Sequence, residues 1–383
     1  MPATFCAYYD SSQCHSCEWI EQNYATQLSH KEKQLCEALS FFPYLSLEKT
    51  TESPQLGFRN RAKMSVTGTL ENPIVGLLGE NHLDQGRELL DCPIHHPALN
   101  QLFTQLPDFI RKARLTPYRI SERTGELKGL IAFYSPGSDQ MYLRFILRSK
   151  EGVSRISKYL PELQANCPLL ACISVNLQPV PHAILEGPEE IILTNQKMIE
   201  HRIDSLPLKL SPQSFVQTNA QVAESLYKTA ASWLAESRSK KVLELFCGQG
   251  TFSFVAEKNA GQFLGIEINP EAVKLATAMA KDLGLVHLKF QCADATQPQK
   301  EIENFSPDLI LVNPPRRGLA QGVRLIQNAR PQNLIYSSCH IESLTMDLKQ
   351  MADCYQIKKV KLFDMFPHTR HFETLIWLQK KSL

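Results

Sequence analysis

The chain has 383 residues, 43% of them apolar and 21% charged, enough to fill the cores of two or three domains. Its 41 basic and 39 acidic side chains leave a net charge of +2, so a surface for a polyanion must be a local patch rather than a property of the whole chain. No apolar run approaches the roughly 20 residues that cross a bilayer, and Met1-Pro2-Ala3-Thr4-Phe5-Cys6 lacks the basic and apolar segments of a secretory leader.

Eleven cysteines in such a chain point away from disulfides and toward metal-binding or catalytic thiols, and a cytoplasmic location is expected. The first twenty residues carry Cys6 and the C-x-x-C pair Cys14 and Cys17. Two thiolates at that spacing reach one metal centre from a single turn. Asp91-Cys92-Pro93 offers a fourth ligand, since Cys-Pro also closes iron–sulfur ligand runs. Cys6, Cys14, Cys17 and Cys92 suit a tetrahedral zinc or a four-iron cluster, and spacing does not separate the two. His15, His95 and His96 are alternative ligands, and a redox C-x-x-C or scattered core thiols would show the same letters.

Ser29 to Leu39 has the apolar spacing of a helix. Arg59, Arg61 and Lys63 then alternate along an extended segment beside Phe58, which places three cations on one face with a ring for stacking on a base. A helix is predicted over Pro97 to Ala113. Strands are predicted over Glu126 to Phe133 and Gln140 to Arg148, joined as a hairpin through Ser135-Pro136-Gly137-Ser138. Arg144 and Arg148 add charge there. Gly152 to Leu163 reads as a helix and Ile173 to Gln178 as a strand. The chain thus divides into a cysteine-bearing segment over 1–95, an overlapping α+β domain over 50–205, and an α/β domain over 206–383.

In the last domain Val242 to Phe246, Gln262 to Ile268, Leu288 to Cys292, Asp308 to Val312 and Leu334 to Ser338 read as strands separated by helices, the pattern of a doubly wound, mostly parallel sheet. Ligands of such sheets sit beyond the carboxyl ends of the strands. Phe246-Cys247-Gly248-Gln249-Gly250 opens a helix there, and Glu267 ends the next strand nineteen residues after Gly248, where an acid can hold ribose hydroxyls. Ser253 breaks the full G-x-G-x-x-G pattern, so a nucleoside ligand without a pyrophosphate, such as S-adenosylmethionine, fits better. Asn313-Pro314-Pro315 aims an amide at the same edge, and Arg316 and Arg317 after it favour phosphate contact. Cys339 ends the fifth strand. A thiol there can act as a nucleophile or be a half-buried core cysteine.

Four segments together resemble the RNA uracil-C5 methyltransferases: Ser214-Phe215-Val216-Gln217-Thr218-Asn219, Leu245-Phe246-Cys247-Gly248, Val312-Asn313-Pro314-Pro315-Arg316-Arg317-Gly318 and Tyr336-Ser337-Ser338-Cys339. His368-Thr369-Arg370-His371-Phe372-Glu373-Thr374 looks like the family's glutamate motif, and the resemblance covers the whole chain. It implies a Rossmann-like S-adenosylmethionine-dependent methyltransferase domain in which Gln217, Phe246, Glu267 and Asn313 bind S-adenosylmethionine, Cys339 is the nucleophile and Glu373 the base. The front end with Cys6, Cys14, Cys17 and Cys92 is similar to the branch that carries a 4Fe-4S cluster and modifies 23S ribosomal RNA, whereas the tRNA branch lacks these cysteines. Relatives with an extra N-terminal RNA-binding barrel would need more chain ahead of Cys6. The target uracil is expected single-stranded or flipped, because a duplex hides C6. Arg59, Arg61, Lys63, Arg144 and Arg148 are the expected RNA contacts. Competing readings are a tRNA uracil-C5 enzyme and a non-catalytic iron–sulfur RNA-binding protein.

Overall fold

The computed structural model describes residues 4–43, 47–79, 84–180, 186–297 and 300–381. They form two compact units, each discontinuous in sequence. The first comprises the chain up to Cys17, Pro54–Gln213 and Gln217–Ala220; the second comprises Glu18–Ser53, Ser214–Val216 and Gln221 onward. Residues 1–3, part of the stretch that argues against a secretory leader, lie outside the described residues. No helix among the described residues is long and apolar enough to cross a membrane.

The first unit is built on a seven-stranded sheet. Its order is Gly86–Glu88, Pro73–Leu78, Arg61–Gly68, Leu127–Ser135, Gln140–Leu147, Leu170–Leu177 and Glu189–Ile192. Neighbours are antiparallel except Gln140–Leu147 and Leu170–Leu177, which the helix Val153–Asn166 joins as the crossover that a parallel pair requires. That helix and Pro97–Lys112 bury Ile156, Leu160, Leu163, Leu99, Leu102, Leu106 and Phe109 in a core with Met64, Leu130 and Leu143 of the sheet.

Two sequence expectations are corrected here. Phe58 is no exposed stacking ring: it is buried in this core. Arg144 is 1% exposed and cannot meet RNA, because it is held by Glu190 (Nη2 to Oε2 2.6 Å, Nε to Oε1 3.0 Å) and Glu186 (Nη1 to Oε2 2.6 Å). Lys63 also reaches Glu186 at 2.8 Å and Arg61 stands 3.9 Å from it. Burial pushes the Glu186 carboxyl up, but Lys63 and Arg144 outweigh it and hold it down at about 2. Alternation in the sequence puts charges on one face of a strand; it does not reveal that acids on a neighbouring segment neutralise that face.

The second unit carries an eight-stranded mixed sheet: β1 (Leu47–Thr51), β2 (Lys241–Leu245), β3 (Gln262–Glu267), β4 (Leu288–Cys292), β5 (Leu309–Val312), β6 (Asn333–Ser338), β7 (Tyr355–Phe363) and β8 (Glu373–Lys380). Their order is β1-β7-β8-β6-β5-β2-β3-β4. All pairs are parallel except those of β8, which runs antiparallel to both β7 and β6. The mostly parallel sheet is as expected from the repeated βα units. The reversed β8 and the recruitment of β1 from the front of the chain are not. Residues 18–53, which nothing in the sequence separates from the cysteine segment, join this unit because β1 pairs with β7 and the helix Tyr24–Ala38 packs beside it. Reversal of β8 brings its N-terminal residue to the same edge at which the parallel strands end.

Candidate active site

The edge is assembled by register. Leu245 pairs with Ile266 and Val312, and Val312 pairs with Tyr336, so the segments after β2, β3, β5 and β6 leave the sheet together. On the other side Ser338 pairs with Thr374 and Ser337 with Leu375. Continued one step beyond the last pair, the register leads to Cys339 and Glu373, and the Glu373 charge acts on the thiol.

Glu373 is 1% exposed. Its Oε1 accepts the Ser337 hydroxyl at 2.8 Å, and Oε2 accepts no hydrogen bond from a described residue. Complete burial pushes the carboxyl up to about 7, against the Ser337 bond, which favours the charged form. The buried phenol of Tyr227, on the helix Ala220–Ser237, is raised by burial and by the charges of Glu373 and Glu244. The Cys339 thiol is half-buried. Burial raises it, the Glu373 carboxylate raises it further, and Arg316 works in the opposite direction by charge and hydrogen bond. The sequence offers Arg316 as a phosphate contact; the structure sets it beside the thiol. The only signal of that placement is its position after the stiff Asn313-Pro314-Pro315 turn, which leaves β5 next to β6. Ser337 and Tyr227 are not legible in the sequence as part of this site.

At the β2 end the chain turns sharply. Phe246 has φ +59°, a conformation of order 1–3 kcal/mol above the usual regions for a bulky residue and one that clusters at functional sites. Gly248 (φ +56°) faces open space, and its N–H donates to Glu267 Oε2 at 2.9 Å; the Asn269 N–H donates to Oε1 at 2.9 Å. Gly250 (φ +75°) is required for packing, since a Cβ there would lie 2.4 Å from the Phe290 ring. Ser253, which breaks the glycine pattern, has a task of its own: its N–H (3.0 Å) and hydroxyl bind the buried Glu244 and tie the helix Thr251–Val255 to β2. Asn313 is half-buried directly after β5. Gln217 is half-buried in the segment 217–220 that packs with the first unit, where the Asn60 N–H donates to Thr218 O at 2.7 Å and the Asn60 side chain accepts from Ala220 N.

The first unit gathers Cys6, Cys14, Cys17 and Cys92 around one cavity of about 130 Å³, also lined by Arg59 and His95. The thiols are close enough to act on one another. Cys17 is pushed up to about 12 by burial and then by Cys92, Cys14 and Cys6. Burial likewise lifts Cys92 to about 11 and depresses His95 to about 3. Among the described residues no three His, Cys, Asp or Glu side chains are gathered tightly enough to hold a single ion.

A model of the tRNA (uracil-5-)-methyltransferase family matches residues 193–381. The 23S rRNA (uracil(747)-C(5))-methyltransferase RlmC of Escherichia coli O9:H4 (strain HS) is 41% identical over 380 residues, covering 98% of this chain and 100% of that protein. The chain belongs to the RNA (uracil-C5)-methyltransferase family. The RlmC of Escherichia fergusonii is related to this family member to the same extent, 41% over 380 residues. The fold is shared with Pyrococcus abyssi tRNA (uracil-54, C5)-methyltransferase in complex with S-adenosyl-L-homocysteine, at a TM-score of 0.78, 23% identity, 94% of this chain and 85% of that one.

Proposed function

We propose that this uracil-C5 methyltransferase acts on 23S ribosomal RNA, at the uridine corresponding to position 747, with Cys339 as nucleophile and Glu373 as base. Support for the substrate comes from 41% identity running the full length of relatives that bear that name. The observation that carries the chemistry is the register of β6 and β8, which leads a thiol and a buried carboxylate with a free oxygen to one edge.

The chemistry follows from the properties of uracil, whose C5 is too weak a nucleophile to take a methyl group unaided. Addition of the Cys339 thiolate to C6 moves the C5–C6 electrons into an enolate and makes C5 electron-rich. S-adenosylmethionine supplies an electrophilic methyl carbon and departs as neutral S-adenosylhomocysteine. Glu373 then takes the C5 proton, the C5–C6 double bond re-forms, and the C6–S bond breaks to return the thiolate. A carboxyl at about 7 is well matched to that proton transfer near neutral pH. Arg316 stabilises the thiolate at the start and end of the cycle. The methyl donor is assigned to Gln217, Phe246, Glu267 and Asn313. Each Glu267 oxygen has a lone pair left after its backbone bond to accept a ribose hydroxyl, and open space in front of Gly248 admits a ligand to the backbone. The target base must leave its stack for Cys339 to reach C6.

Cys6, Cys14, Cys17 and Cys92 are assigned to a 4Fe-4S cluster. Four thiols lining one small cavity fit a soft metal centre. The choice of a 4Fe-4S cluster over a single tetrahedral zinc rests on the similarity of the front end to the cluster-bearing branch of the family, since both suit four thiolates. Closing the chain from Cys6 to Cys92 is the role this supports.

The test is methyl transfer from labelled S-adenosylmethionine to 23S rRNA and tRNA transcripts in parallel. Label confined to one uridine of 23S rRNA supports the proposal. Label in tRNA alone, as the names of the family model and the Pyrococcus enzyme would suggest, replaces the substrate.

A further inference from the structure

We propose that Asp347 is a positioning residue for the nucleophile: it pins the Pro314–Leu319 loop so that Arg316 stays beside Cys339. Asp347 lies on the helix Ile341–Met351, which starts just after Cys339. It is 5% exposed, yet no cation among the described residues faces it. One oxygen, Oδ2, accepts both the Leu319 N–H at 2.7 Å and the Tyr336 hydroxyl at 2.7 Å. Leu319 closes the loop that carries Arg316, and Tyr336 lies on β6 three residues before the thiol. A single buried oxygen therefore fastens the arginine's loop to the nucleophile's strand.

The loop is shaped around that contact. Gly318 has φ +79°, and its N–H donates back to Pro315 O at 2.8 Å. A Cβ on Gly318 would lie 2.6 Å from Asp347 Oδ2, so only glycine lets loop and carboxylate approach this closely. Burying a carboxylate against neutral donors is costly, and burial accordingly raises its proton affinity. An apolar side chain would pack this helix at less expense, which leaves the loop as the reason for an acid here.

The consequence is local to one thiol. Cys339 faces Glu373 from β8, Tyr336 from its own strand and Arg316 from the loop, and Arg316 is the only one of these that favours the thiolate. Unpinning the loop removes that cation. The inference rests on Cys339 as the attacking thiol for its role in catalysis, but alkylation of Cys339 needs neither RNA nor methyl donor, so the two readings fail separately.

The experiment follows iodoacetamide labelling of the Cys339 peptide by mass spectrometry across pH in the full chain. For Asp347→Ala the midpoint of the profile should rise, giving about tenfold slower labelling at pH 7 with an unchanged plateau at high pH. Asp347→Asn, which retains an acceptor oxygen, should stay within about twofold of the parent. Arg316→Ala should match Asp347→Ala, and the double variant should add nothing to either. Labelling of Asp347→Ala at the parent rate, or independent effects of the two substitutions, would overturn the proposal. Should Asp347→Ala fail to fold, Gly318→Ala, which forces the contact apart while leaving Asp347 in place, is expected to shift the profile in the same direction; a profile like the parent's overturns it equally.

Discussion

Replacing Glu373 by glutamine separates the energetic burden of the buried carboxylate from its chemistry. Burial moves its titration from 4.5 to about 7, while in the unfolded chain it returns to its ordinary value. Between those values the folded protein binds more protons than the unfolded one, so this group's contribution to stability is lost as pH rises through that window. The charged form burdens the fold by roughly 3 kcal/mol at pH 8 and roughly 1 kcal/mol at pH 5.5. Glu373→Gln keeps the side chain's size and an acceptor for Ser337 but does not ionise. It should therefore be more stable than the parent by about those amounts, with the advantage growing by roughly 2 kcal/mol between the two pH values. The three tryptophans, Trp19, Trp233 and Trp377, all lie in the second unit, so urea unfolding followed by tryptophan fluorescence reports on the right part of the molecule. The same variant should lose turnover and, without the neighbouring negative charge, label faster at Cys339 near neutral pH. A stability gain independent of pH, or no gain at all, would refute the assignment of a buried, high-pKa carboxyl.

Other expectations rest on separate parts of the molecule. Lys31 and Asp364 form a fully buried pair at 2.5 Å, with Phe366 O 3.1 Å from the ammonium and the Tyr24 hydroxyl donating to Asp364 at 2.7 Å. Lys31→Met should cost about 3–5 kcal/mol in tryptophan-monitored unfolding, and adding Asp364→Asn should recover part of that by removing the stranded charge. Arg144→Met should destabilise the strand Gln140–Leu147, seen as faster amide exchange there, while leaving the salt dependence of RNA binding unchanged because the side chain is neutralised inside the first unit. Protein prepared without oxygen should absorb near about 400 nm from thiolate-to-iron charge transfer, and Cys92→Ala should lose both that band and bound iron; a colourless parent with stoichiometric zinc contradicts the cluster.

The βα repeats from Val242 to Ser338 are readable in the sequence because parallel strands buried on both faces leave continuous apolar runs. Cys339 and Glu267 are readable for a related reason, since the carboxyl end of each strand marks the ligand edge of such a sheet. Glu373 as the base for Cys339 is readable from the resemblance and from its place ahead of a final apolar strand, Thr374 to Leu378. The direction of β8 is not, since an apolar strand carries no sign that it runs against its neighbours. The same limit explains β1: Leu47–Thr51 is a short segment, and its edge position beside β7 is a tertiary choice. Charges mislead where acids are distant in sequence, as with Arg144 and Glu190, and the effect of Arg316 on the thiol is a tertiary contact that its place after Asn313-Pro314-Pro315 does not show. Ser253 is read correctly as a break in the dinucleotide glycine pattern, but its hydrogen bonds to Glu244 are a tertiary contact that the pattern does not show.

The most direct test of the whole account is to trap the covalent step. Fluorine at C5 of the target uracil leaves Glu373 no proton to remove, so the ring should remain bonded to the attacking sulfur after methyl transfer. Incubation of the protein with S-adenosylmethionine and a 23S rRNA fragment bearing 5-fluorouridine, followed by digestion and mass spectrometry, should yield one crosslinked peptide, with the methylated base on Cys339. A crosslink at any other residue, or RNA that is bound but never bonded, contradicts it.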